Sequence, residues 1–334
     1  MVQFTKTVSV LLFYFLEICF IRNKLKEEIV KTTKYYIAAI TCFVIWGFFS
    51  LVLKPIHEYP SLDILFYRVF SCSILMLLIA FTFKRKKIKE TIEIFKALPK
   101  SEKRKTTLLN IGGSFFLMAN WFTFIYVMNH VSVKATSLAY LVCPILTTLL
   151  AYFILHEKLS KTQWMAVGLS ISGCVLLSYA NIMDMFFSII IGSTYASYLV
   201  SQRVNKGFDK FITLTFHITL AALCLLPFYP VYSGPVPTEF KFYFCIETIA
   251  ILFTIFPLFL NLYALSGINS STVGMLLNIN PMIAFLLAIF VYHEPIGFMQ
   301  IMAYSIIFMA VLVFNSHHIF ALKRKFATLS KVSK

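Results

Sequence analysis

Long apolar runs separated by short polar breaks recur along the chain, at residues 36–53, 64–83, 108–128, 135–155, 163–180, 185–201, 211–228, 242–265, 272–292 and 299–314. Each is close to the ~20 residues that an α-helix needs to cross the hydrocarbon layer. None alternates strictly between apolar and polar positions, and none holds an internal run of charges. A barrel strand would be shorter and would alternate with period two, so the pattern predicts helices. The fold class expected is an all-α polytopic membrane protein with ten transmembrane helices. Residues 1–35 read as an N-terminal extension. Within it the run 8–21 contains Glu17 and is short for a span, so an interfacial helix or an extension with no transport role is expected there, with an eleventh span as the alternative.

Composition supports this reading. Of 334 residues, 59% are hydrophobic and 13% charged, against about 45–50% and about 25% in soluble domains. Ten spans take about 200 residues, which leaves no length for a second, soluble domain. The 7 cysteines stand singly in apolar runs and read as small buried hydrophobes, with neither disulfide nor metal-ligand spacing.

The net charge of +16 raises nucleic acid as a partner. The positions of the basic residues argue against it. If the first span enters from the cytoplasm, 25 of the 30 Lys and Arg fall in cytoplasmic segments, and only Lys54, Lys134 and Lys241 fall in external loops. That asymmetry is the positive-inside pattern of a multi-pass cell-membrane (inner or plasma membrane) protein, with both ends of the ten-helix unit cytoplasmic. Residues 317–334 then form a basic cytoplasmic tail.

The chain also repeats itself. Shifted by 137 residues, Pro144 to Gln163 aligns with Pro281 to Gln300 with eight identities in twenty positions, including Pro144 with Pro281, His156 with His293, and Glu157 with Glu294. Tyr126 likewise meets Tyr263. The repeat unit is five helices, residues 36–182 and then 183–316. An odd number of crossings forces the second copy to enter from the opposite side, so the repeats are inverted. Inverted repeats around a midplane site are a recurring plan of secondary transporters.

These residues resemble the EamA branch of the drug/metabolite transporter superfamily, and within it the RarD-like group named for chloramphenicol sensitivity. The resemblance covers about residues 36–316. It rests on Ile45-Trp46-Gly47, Pro60 with Asp63-Ile64-Leu65 and Arg68, Asn120-Trp121, Ser137-Leu138-Ala139-Tyr140 with Pro144, and Glu157 with Gln163-Trp164. Pro257-Leu258, Ser271-Thr272-Val273-Gly274, Pro281 and Glu294 continue it in the second half. It implies two inverted five-helix EamA repeats and a central cavity lined by helices one to four and six to nine, with five and ten peripheral. Cys143 and Asn280 before the two prolines, and His217 where an acidic residue is expected, depart from the family pattern.

A charge within the bilayer costs about 2.5–3.5 kcal/mol at the centre on insertion scales, so each one needs a reason. Arg68 lies five residues past Asp63, or about 7.5 Å along a helix. Snorkelling to the headgroups and a place in the cavity both explain it, and the resemblance favours the cavity. Glu247 reads as interfacial. His217 is about 10 Å into a core of about 30 Å, at a depth that suits either proton coupling or a hydrogen bond to a neighbouring carbonyl. Pro144 and Pro281 sit mid-helix and meet under the repeat, which makes them candidate hinges. Trp46, Asn120, Trp121, Tyr126, Tyr140, Tyr195, Tyr198, Asn278 and Asn280 lie at mid-membrane depth and are candidates, with Arg68, to enclose a solute. Gly168 and Ser172 form a small-xxx-small step that predicts close helix packing.

The function expected is secondary transport of a small organic solute or drug-like metabolite, by an ion-coupled exporter or permease; a passive facilitator of the same fold is the alternative. No G-x-x-x-x-G-K-S/T loop occurs, so the chain is not expected to hydrolyse ATP. An intramembrane enzyme is disfavoured, because the His-Glu pairs at 156–157 and 293–294 fall at opposite ends of the membrane and cannot share a metal. No catalytic residue, metal or cofactor is expected. The partners expected are the solute, lipids, and a proton or another coupling ion, with the oligomeric state open between monomer and homodimer.

Overall fold

A computed structural model describes residues 32–131, 133–178, 182–205, 207–293 and 297–331. The N-terminal run 8–21 lies outside these residues, as does Glu294. The long helices are α1 Thr32–Ile56, α2 Ser61–Phe83, α3 Lys100–His130, α4 Val133–Leu155, α5 Lys161–Ser178, α6 Ile182–Val204, α7 Lys210–Tyr232, α8 Phe240–Gly267, α9 Ser270–Phe290 and α10 Phe298–Lys331. Among the described residues, nine helices are long and apolar enough to cross a membrane. The one that falls short is α5, which has 18 residues and opens on the polar Lys161-Thr162-Gln163. It is at the lower limit for a span. The expected polar tail is also partly helical, since α10 continues to Lys331.

Helix packing follows the repeat. Exchanging the halves pairs α1 with α6, α2 with α7, and so on to α5 with α10. Under that exchange the contacts α2–α7, α4–α9 and α5–α10 map onto themselves, and α3–α7 maps onto α8–α2; all of them are present. The backbone carries the same signature at residue level. Among the described residues the only non-glycine positions with positive φ are His156 and His293, both at 52°, and they are the histidines that the 137-residue shift superposes. His156 directly follows α4, where a left-handed residue ends a helix, and His293 lies three residues past the end of α9.

Glycines set the closest approaches. A Cβ at Gly47 would meet Ile283 Cβ at 2.5 Å, bringing α1 onto α9, and one at Gly274 would meet Thr147 Cβ at 2.8 Å, bringing α9 onto α4. The expected packing role of Gly168 and Ser172 is not seen. Both are exposed, and Gly168 has open space around it. On the next face of α5, Gly173 is buried and abuts Ile307 and the Ala303 carbonyl of α10.

A basic surface helix, Arg85–Ala97, follows α2 in a segment that the sequence reading counted only for its charge. Ile88, Ile92 and Phe95 recur at helical spacing, so the segment reads as an interfacial helix, apolar on one side and basic on the other. It marks one face of the bundle, the basic face. The ends of α4, α6, α8 and α10 and the starts of α1, α5, α7 and α9 lie on that face.

Candidate functional site

A cavity of about 390 Å³ lies between the two halves, reaching from mid-helix level to the α1–α2 connection on the face opposite the basic one. Its wall is built by α1 (Trp46, Phe49, Leu53), α2 (Ile64, Leu65, Arg68), α3 (Asn120, Trp121, Phe124), α4 (Tyr140), α6 (Tyr195), α8 (Phe253, Thr254, Leu258) and α9 (Asn280), with His57 and Ser61 toward the mouth. The size is that of a small-molecule site, and the wall is mostly apolar with a few polar groups. Neither α5 nor α10 contributes, and α7 contributes nothing to it.

A proline and a tryptophan shape the α8 wall. Pro257 has no N–H, so the Phe253 carbonyl one turn earlier loses its helical donor. The helix widens there into a π segment, Ile251–Ile255, a feature often found at functional sites. The Trp46 indole N–H donates to that freed carbonyl at 2.8 Å, tying the first half to the second at the floor of the cavity. In α9 the second proline goes with a different break. The helix stops at Leu276 and restarts at Ile279, with Pro281 at the third position of the new segment and Asn280 N–H donating to Leu277 O at 3.0 Å. By contrast, α4 runs through Pro144 as one continuous helix. The prolines expected as matched hinges therefore sit in unlike conformations.

The structure sorts the sequence candidates by direction rather than by depth. Trp46, Arg68, Asn120, Trp121, Tyr140, Tyr195 and Asn280 line the cavity. Tyr126 does not: it is half-exposed on the outer surface and stacks on His130 at 4.6 Å. Tyr198 is fully buried behind Tyr195. The Asn278 amide turns back to Met275 O at 3.3 Å, inside the packed break of α9. Of the lining amides, Asn120 is engaged with α6 through Ile191 O at 3.0 Å and Thr194 Oγ1 at 3.2 Å. Asn261, which sequence reasoning passed over, donates to the Tyr195 hydroxyl at 2.7 Å and holds that ring at the wall. The sequence signal that could have found the α8 wall is Pro257, four residues past the carbonyl it frees.

Arg68 does not snorkel. Its guanidinium stands 5.1 Å from the Trp121 ring centre, and its Nε is enclosed with no hydrogen-bond partner. The nearby carboxylates serve elsewhere. Asp63 accepts the Gly234 N–H at 3.1 Å, while Glu247 is exposed and accepts from the Ser71 hydroxyl at 2.6 Å.

Toward the basic face the bundle is shut. Phe43, Leu117, Leu199, Leu214 and Leu258 pack into one core beneath the cavity. Beyond them a polar layer links α3, α6 and α7: Asn205 donates to Asn110 Oδ1 at 2.9 Å, and His217 Nε2 lies 3.2 Å from the same oxygen. His217 is completely buried in this layer and does not line the cavity. At the surface, Arg203 donates to Leu265 O at 2.5 Å. The Glu157 carboxylate receives the N–H groups of Ser270 and Ser271 at 2.9 and 3.1 Å and the Ser271 hydroxyl at 2.6 Å. The first half thereby caps the start of α9, where a helix N-terminus favours an anion.

The comparisons with known proteins agree with this architecture. The sequence profile of the EamA-like transporter family matches residues 33–179 and again 183–316. The uncharacterized transporter YojE of Bacillus subtilis is 27% identical over 291 residues, covering 85% of this chain and 94% of its own. Protein RarD of Escherichia coli is 23% identical over 300 residues, covering 88% and 98%. A solved crystal structure superposes with a TM-score of 0.65 at 12% identity over 84% of this chain and 96% of its own, a likeness of fold alone. Matched along nearly all of its helical length and once in each half, this multi-pass membrane protein belongs to the EamA-like transporter family.

Proposed function

We propose that the chain is a secondary transporter of a small organic solute, working by alternating access in the cell membrane with its basic face in the cytoplasm. The observation that carries this reading is the cavity: it is walled by both halves, reaches one face and is closed toward the other. Exchange of the two halves' conformations would open the basic face instead, with Pro144 and Pro281 as the flexing points. The unlike states of α4 and α9 around their prolines are what such an exchange requires.

Coupling is assigned to His217. A coupling group must differ in proton affinity between the two states. His217 sits in the layer that has to part when the basic face opens, facing Asn110, Tyr198 and, at the start of its own helix, Lys210. One observation favours a passive facilitator instead: no Asp or Glu lines the cavity, and His217 is sealed away from it.

Proteoliposomes separate these readings. With purified protein and a panel of labelled amino acids, nucleosides and aromatic solutes, the expectation is saturable exchange of at least one solute and its accumulation under an imposed pH gradient. His217→Gln is expected to abolish accumulation and to spare exchange, which needs no net proton movement. Exchange without accumulation in the unaltered protein supports facilitation. No exchange of any solute refutes transport through this cavity.

A further inference from the structure

We infer that the solute carried by this cavity is a small organic anion, whose carboxylate pairs with Arg68 and whose planar body lies against the surrounding aromatic rings. The inference rests on the transporter reading of the site and adds the chemical class of its solute.

Arg68 lines the cavity wall between Leu65 on its own helix and Trp121 on α3. An arginine stays protonated at any relevant pH, and a buried cation is retained when something pairs with it. Arg68 makes no ion pair with any described residue. The two carboxylates closest to Arg68 in sequence or packing are committed, Asp63 to the Gly234 N–H and Glu247 to the Ser71 hydroxyl. Trp121 covers the guanidinium at 5.1 Å. A ring face attracts a cation but offers no acceptor for its N–H groups, and Nε remains enclosed and without a partner. Arg68 therefore presents a guanidinium fork, the geometry that matches a carboxylate with two parallel hydrogen bonds.

The remainder of the wall sets the rest of the solute. No Asp or Glu lines the cavity, so an ammonium group would enter a site that holds Arg68 and no counter-charge. That disfavours organic cations and weakens zwitterions. Trp46, Trp121, Tyr140 and Tyr195 supply flat apolar surface at the same level. Trp46 and Tyr195 meet edge to face at 6.0 Å and are held in place by the Phe253 carbonyl and by Asn261. A volume of about 390 Å³ is at the small end of ligand sites. A monocarboxylate on one or two rings satisfies charge, shape and size together.

The test compares three molecules of one skeleton, 3-phenylpropanoate, 3-phenylpropanamide and 3-phenylpropylamine, and the same trio built on benzoate, by calorimetric titration of the purified full-length protein. The acids are expected to bind about ten- to a hundredfold more tightly than their amides, the range for a hydrogen bond to a charged group, and the amines not at all. Arg68→Gln is expected to erase the preference for the acid while leaving the amide's weak binding intact. Arg68→Lys, which keeps the charge without the fork, is expected to retain part of it and serves if the glutamine variant does not fold. Amides or amines binding as tightly as the acids, or no acid binding, overturns the inference. So does chloride displacing the acids at equal concentration. The two readings fail separately: saturable vesicle exchange of a neutral or cationic solute would leave the transporter reading standing and remove the anion.

Discussion

Trp46 ties α1 to α8 through one hydrogen bond, from its indole N–H to the Phe253 carbonyl that Pro257 leaves without a donor. A buried carbonyl stripped of its partner costs about 1–3 kcal/mol. Trp46→Phe keeps an aromatic ring at the cavity floor and removes only the donor. It is expected to lower the thermal midpoint of the solubilised protein and to slow solute exchange, whereas Tyr126→Phe, on the outer surface, is expected to change neither. An unshifted midpoint for Trp46→Phe would show that the bond carries no weight. The contrast between these two residues also shows what one sequence makes legible. Counting from the ends of a run gives a residue's depth, and Trp46, Tyr126 and Tyr198 were all placed near the middle in that way. Direction around the helix was not readable. Runs that are apolar on every side, because lipid and protein interior are equally apolar, carry no amphipathic stripe to show which face turns inward. Tyr126 and Tyr198 were misdirected for that reason, as was the Gly168–Ser172 step, whose packing neighbour is Gly173 one face away.

Among elements, α4 and α9 hold the conformational contrast. Both carry a mid-helix proline at the same repeat position, yet α4 is continuous while α9 breaks at Leu277–Asn278. Proline alone therefore does not decide the break, since the same residue sits in both states. Pro281→Ala restores the N–H that would let the two segments of α9 join. It is expected to leave insertion and folding intact while slowing exchange between faces several-fold, measured as solute exchange in proteoliposomes. An unchanged rate would reduce the proline to a packing feature. The repeat itself was legible because P-x12-E-x5-Q stands out against apolar background. The role of Glu157 was not. It caps a helix that begins 113 residues later, a contact that only the fold creates. The surface helix Arg85–Ala97 was overlooked because its basic residues drew attention to charge and away from the spacing of Ile88, Ile92 and Phe95.

For the molecule as a whole, the inverted arrangement follows from an odd number of helices in each half, and packing that maps onto itself under exchange of the halves makes two mirror-related states comparable in contact. The claim that depends on this is that solute passes through the cavity between the halves. Thr254 tests it most directly, being small, buried and on the cavity wall within the α8 π segment. In a variant lacking the native cysteines, Thr254→Cys is expected to react with a membrane-impermeant thiol reagent added outside, and its complete alkylation is expected to stop exchange of a carried solute. Full exchange through protein whose Thr254→Cys side chain is quantitatively alkylated would contradict transport by this route.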